Sequence, residues 1–172
     1  MDELLAPELL AEGSVSIVRR PLGRMFEVAA WEDAAKPAGT HVLPLGPRRW
    51  LVASEIEPAA TGCSVADVSG AWHCLAISGP DARAVLAAEI TLDLAPPAFP
   101  EGSIAMTRVA DTRAILVAEP ADTFALYLPA SLKEPIECLL LDVAASLGAT
   151  VAQRGHRALV PRRASPAEQG LR

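Results

Sequence analysis

Asparagine is missing altogether, lysine occurs only at positions 36 and 133, and the aromatic set is three Trp, three Phe and one Tyr in 172 residues. With 15 Pro and a heavy alanine load, the first two shortages read as a compositional habit, not as a mark of function. Cysteine is scarce too. Cys63, Cys74 and Cys138 are odd in number and form no C-x-x-C, which argues against a disulfide framework and for buried thiols in a reducing compartment. No apolar run approaches the ~20 residues of a membrane span, and the opening Met1-Asp2-Glu3 puts acids where a signal peptide carries its basic region. Basic charge is short as well: 15 Lys and Arg against 21 Asp and Glu leave a net charge of −6. A nucleic-acid platform needs a net basic face and is disfavoured. Neither G-x-G-x-x-G nor G-x-x-x-x-G-K-[ST] occurs, so no phosphate loop is written into the chain.

What is present is a foldable interior. Apolar residues make up 51% and charged ones 21%, and a chain of this length hides roughly 70% of its unfolded surface. One domain with arms is expected: an N-terminal arm over 1–24, a single domain over 25–150 and a basic tail over 151–172. Glu3 to Glu12 has the spacing of a short amphipathic helix, broken at Arg19-Arg20-Pro21. Strands are expected at 25–31, 42–45, 49–54, weakly at 63–67, and at 71–77, where Trp72, Cys74 and Ala76 alternate with His73, Leu75 and Ile77. Gly79-Pro80-Asp81 reads as an N-cap, a first-turn proline and a first-turn acid, opening a helix over roughly 80–89. Strands follow at 104–109, 113–117 and 123–128, with a turn at Asp111-Thr112. Ser131 and Glu134 have capping-box spacing. Leu132, Ile136, Leu139, Leu140, Val143 and Leu147 then mark one stripe of a helix that stops at Gly148. Strands, a helix, three strands and a helix describe an α+β layer with helices on one face of a mostly antiparallel sheet.

No residue set converges on chemistry. His41, His73 and His156 are far apart and none has a second ligand at zinc spacing. His73 and Cys74 are neighbours on a strand and therefore point to opposite faces. Ser69 and Ser78 lack a G-x-S-x-G elbow. Asp67, Asp81 and Asp93 are explained by a turn, a helix start and a loop, where short polar chains satisfy nearby backbone. Trp31, Trp50 and Trp72 read as core filling, or as anchors of a protein contact. The tail arginines, Arg154, Arg157, Arg162, Arg163 and Arg172, read as solvated or as a dock for an acidic partner. A compact domain with a binding or assembly role leads.

Several segments in order resemble one family, the gamma subunit of heterotetrameric sarcosine oxidase. Leu45-Gly46-Pro47-Arg48-Arg49-Trp50-Leu51 is similar to its L-G-P-x-x-W-L strand entry. Asp67-Val68-Ser69, then Ser78-Gly79-Pro80-Asp81-Ala82-Arg83 and Leu86, resemble its D-x-S and S-G-P-D-A-R elements. Leu92-Asp93-Leu94 with Phe99-Pro100-Glu101-Gly102, and Phe124 to Pro129 followed by Ser131 and Leu147-Gly148, resemble its connection and its closing strand and helix. One departure stands out: Ala130 occupies the place where an arginine often precedes the serine.

The resemblance implies an aminomethyltransferase N-domain-like or ferredoxin-like fold and a non-catalytic, cytoplasmic subunit. Its alpha, beta and small delta partners would carry FAD, FMN, NAD and tetrahydrofolate. The complex would oxidise sarcosine or a related N-methyl amine and release the methyl carbon as formaldehyde or pass it to tetrahydrofolate. No catalytic, cofactor or metal residue is expected in this chain, and neither nucleic acid nor membrane as partner. Subunit contacts are expected at Trp50, Trp72, Arg154, Arg157, Arg162 and Arg163. The alternative is a stand-alone folate-binding or one-carbon-transfer protein related to aminomethyltransferases. Those enzymes place acids on the strand after a tight turn, and Asp111 to Leu116 puts none on the strand here. The K-G-C-x-x-G-Q motif of related iron–sulfur assembly factors is absent too.

Overall fold

The computed structural model describes residues 14–31, 37, 41–59 and 61–152. Ten strands and two helices follow in order: β1 (Val15–Arg20), β2 (Met25–Ala30), β3 (His41–Gly46), β4 (Arg49–Ala53), β5 (Cys63–Asp67), β6 (Trp72–Ser78), α1 (Ala82–Glu89), β7 (Ile104–Val109), β8 (Thr112–Glu119), β9 (Thr123–Pro129), α2 (Lys133–Ser146) and β10 (Val151–Ala152). They form two sheets. The larger has the order β10-β1-β6-β9-β8-β7 and the smaller β3-β4-β2-β5. Every pair is antiparallel except β1 with β10. The α+β expectation holds, but the single sheet becomes two.

Burial explains the layering. On one face of the large sheet, Leu75, Ile77, Leu116, Phe124, Leu126 and Leu128 join Val85 and Leu86 of α1 and Ile136, Leu140 and Ala144 of α2. On the other face, Cys74, Ile115, Ala125 and Tyr127 meet Met25, Leu43, Leu45 and Leu51 of the small sheet. The helices thus do sit on one face, and the small sheet covers part of the other. Phe124 to Leu128 are buried without interruption, because β9 is central and covered on both sides.

β1 departs from expectation. Residues 15–20, read as part of an arm, are a strand between β6 and β10, and Val15 and Ile17 point into the helix-side core. The Arg19-Arg20-Pro21 signal ends that strand; it is not the end of a helix. The proposed helix over Glu3 to Glu12 lies outside the described residues. β10 likewise takes Val151 and Ala152 from the expected tail into the sheet.

The helix starts are built differently from their motifs. Asp81 is the N-cap of α1, and Gly79 is a turn residue at φ 112°. A Cβ on Gly79 would stand 2.6 Å from the Ser14 carbonyl oxygen, so only glycine lets the start of β1 approach this turn. Ser131 sits inside a 3-10 turn over Ala130–Leu132, Leu132 is the N-cap of α2, and no side-chain capping bond forms. The capping-box spacing is therefore present without its hydrogen bonds. The stop at Gly148 does hold: at φ 73°, it lets its own N–H reach Ala145 O at 3.1 Å and the Ala149 N–H reach Ala144 O at 2.9 Å.

Candidate functional site

The two tryptophans expected at contacts lie apart. Trp72 packs, half-buried, against the core between the sheets. Trp50 is opposite Val28 on β2, which places it on the small sheet's outer face; it too is half-buried. Trp31 is the exposed one, at 63%. Arg154, Arg157, Arg162 and Arg163 lie outside the described residues.

His73 and Cys74 point to opposite faces, as strand geometry requires. Cys74 is fully buried between the sheets, and burial pushes its thiol up to about 11. That is a poor nucleophile. Its neighbour across β9, Tyr127, is pushed up to about 12 for the same reason.

The D-x-S segment is a clamp. Asp67 Oδ1 accepts from the Ser69 hydroxyl at 2.5 Å and the Ser69 N–H at 3.0 Å, and Oδ2 accepts from Arg24 at 3.0 Å. These donors, Ser69 first, hold the Asp67 carboxyl at about 2. Ser69 Oγ in turn accepts from the Met25 N–H at 3.1 Å, tying the end of β5 to the start of β2. Asp93 caps its own loop through the Ala95 N–H at 2.9 Å.

Between the sheets the structure assembles a charged pair that sequence reading missed. Arg20 donates two bonds to Glu119, at 2.6 and 2.7 Å, across the face of the large sheet. The register puts Ala76 and Ala125 on that face between them, and these small side chains leave room for the guanidinium. The pairing lowers the Glu119 carboxyl and raises Arg20. β8 runs on to Glu119, beyond the Asp111 to Leu116 stretch that carries no acid on the strand, so a carboxylate does stand on β8. It stands at the strand's end and both its oxygens are taken by arginine. The signal lay too far apart in sequence to read, since 99 residues separate the partners.

Beside Glu119 opens a cavity of about 300 Å³, lined by His41, Leu43, Ile104, Val117 and Tyr127 among others. Its lining is mostly apolar, with His41, Glu101 and Glu119 among the titratable members. Farther along β7 a second hollow of about 350 Å³ is lined by Met106, Thr107, Arg108, Asp111 and Arg113. Arg108 stands directly opposite Arg113 across the β7–β8 hairpin. The two-residue turn Ala110-Asp111 (φ 44° and 64°) dictates that pairing, so locating the turn one residue late hid it. Among the described residues no three His, Cys, Asp or Glu side chains cluster to hold a metal, and no helix is long and apolar enough to cross a membrane.

The described elements define a two-sheet α+β domain with two hollows along β7 and no convergent acid–base or nucleophilic set among them. No family model matches the chain, and no curated protein does. Among solved structures, the fold is similar to that of a chain in the heterotetrameric sarcosine oxidase from Corynebacterium sp. U-96 in complex with pyrrole 2-carboxylate. The TM-score is 0.68 at 21% identity, covering 82% of this chain and 88% of that one. The likeness is one of fold.

Proposed function

We propose that this chain is a non-catalytic subunit, of the gamma type, in a sarcosine-oxidase-type heterotetrameric flavoenzyme acting on sarcosine or a related N-methyl amine. The observation that carries the reading is the shared fold across most of both chains. The ordered motifs between residues 45 and 148 support it, because the structure gives them architectural work: Asp67 and Ser69 clamp a strand junction, and Gly79 admits the start of β1. The alpha, beta and delta partners would hold the flavins, the dinucleotide and the folate, and Trp50, Trp72 and the tail arginines remain proposed contacts. In this chain the only acid on β8, Glu119, is engaged by Arg20, which leaves it poorly placed to serve a folate amine.

The test is production of the chain alone and together with the large subunits from the same genome. Alone, it is expected to show no flavin absorbance and no amine oxidation. Together, one stable complex that oxidises an N-methyl amine is expected. Turnover by the lone chain overturns the reading, and micromolar binding of tetrahydrofolate to it would favour the one-carbon-transfer alternative.

A further inference from the structure

β7 is an edge of the large sheet. It pairs with β8 on one side and with no strand among the described residues on the other. Such an edge offers backbone donors and acceptors to an incoming strand. Along its face toward the small sheet run Ile104, Met106 and Arg108. Ile104 is 40% and Met106 38% exposed, which is unusual for large apolar side chains at alternate strand positions. Next to them, Arg108 and Arg113 face each other as like charges, an arrangement that costs stability in a hairpin. Arg108 reaches Asp111, whose carboxylate side chain is 99% exposed, and Arg113 has no ion-pair partner among the described residues. On a chain of net charge −6, this is a local reversal that an arriving carboxylate would relieve. The two hollows flank the same stripe, one apolar beside Ile104 and one cationic beside Met106. Ile104 and Arg108 are about 13 Å apart in an extended strand, the length of roughly five residues.

We propose that this shelf docks an extended acidic and apolar segment of a partner protein, adding a strand to β7. Carboxylates of that segment meet Arg108 and Arg113, and an apolar side chain enters the hollow beside Ile104. The partner's place in a larger assembly rests on the subunit reading above; the docking chemistry does not. Glu101 at the far end of the shelf confines the segment's carboxylates to the arginine end and opposes a uniform polyanion such as nucleic acid.

The test uses the full chain, labelled with 15N, and a synthetic peptide whose alternate, same-face positions are Glu in one half and Val in the other, with Ser and Thr between them; the same peptide with Lys for Glu and a single-stranded DNA oligomer are the comparisons. Expected are amide shifts confined to residues 101–119 and β3 with the acidic peptide, weakening steeply with salt. R108Q/R113Q is expected to lose binding at least tenfold while melting no lower than wild type, because the substitution removes a repulsion. Equal binding by R108Q/R113Q, shifts elsewhere, no binding of the acidic peptide, or preference for the DNA or the basic peptide overturns the proposal. Co-expression with the large subunits separates the two readings. If the wild type fails to join them while the acidic peptide docks on β7, the subunit reading falls and the shelf stands. If R108Q/R113Q joins them as well as wild type and the peptide does not dock, the shelf falls and the subunit reading stands.

Discussion

His73 Nε2 is buried and has no hydrogen-bond partner among the described residues. The imidazole lies on the helix side of β6, facing Arg19 from β1 and Lys133, Glu134 and Glu137 from α2. Burial first, then Arg19 and Lys133, push its pKa below the ordinary value, and the two glutamates only partly oppose them. Glu137 is committed elsewhere, to Arg19 at 2.5 Å. The fold therefore accepts the neutral ring, whereas an unfolded chain takes up a proton near pH 6.5. The sign follows: the contribution to stability is complete above that pH and declines as acid drives protonation below it. The urea midpoint is expected to fall between pH 7.5 and 5.5, and in His73→Leu that portion of the fall should vanish. A pH slope unchanged in His73→Leu would refute the assignment. Asp67 and Glu119, both held low by their donors, lose their contributions only in more acidic solution. At this scale the sequence was partly legible. Adjacent residues on a strand had to diverge, which separated His73 from Cys74, but no local pattern announces that an imidazole nitrogen will be left without a partner.

At the scale of elements, the turn at Gly79 yields the sharpest stability prediction. Alanine there meets both a φ of 112° and a backbone carbonyl 2.6 Å from its Cβ. Strain of this kind costs about 3 kcal/mol, so Gly79→Ala is expected to lower the melting temperature by roughly 6–12 °C. Gly70→Ala is the control, since nothing stands within 4 Å of a Cβ there. It should be neutral or stabilise by up to about 1 kcal/mol. Equal melting of the two variants would show that the approach of β1 to Gly79 does not matter. The same comparison shows which element signals can be trusted in a sequence. Most of the stripe of α2 and its glycine stop were readable, because burial periodicity and a left-handed residue act locally; Leu147, expected in the stripe, is exposed, and Glu137 and Ala144 are buried instead. Ser131 and Glu134 were misleading: their spacing is that of a capping box, but the chain enters the helix through a 3-10 turn that moves the N-cap to Leu132. The hairpin turns Ala110-Asp111 and Ala121-Asp122 have four residues at positive φ and no glycine, so they carry little of the usual signal.

For the whole molecule, the strands could be read but their partners could not. β1 and β2 are separated only by residues 21–24, yet they belong to different sheets. Alternation along a strand says which residues share a face, not which strand lies alongside. The consequence is a testable division of the chain. Had residues 1–24 been an arm, a chain beginning at Met25 would keep its core. In the structure that chain loses β1, and with it Val15 and Ile17 from the helix-side core, one of the two antiparallel partners of β6 and the only partner of β10 among the described residues. It also loses Arg19 and Arg20, leaving Glu137 and Glu119 without the cations that hold them; Glu137 is buried, where an unpaired charge is costly. The 25–172 chain is therefore expected to show no cooperative thermal transition. A separate peptide of residues 14–24, added in excess, should restore part of that transition by re-entering between β6 and β10. A 25–172 chain that melts as sharply as the full chain would return these residues to the role of an arm.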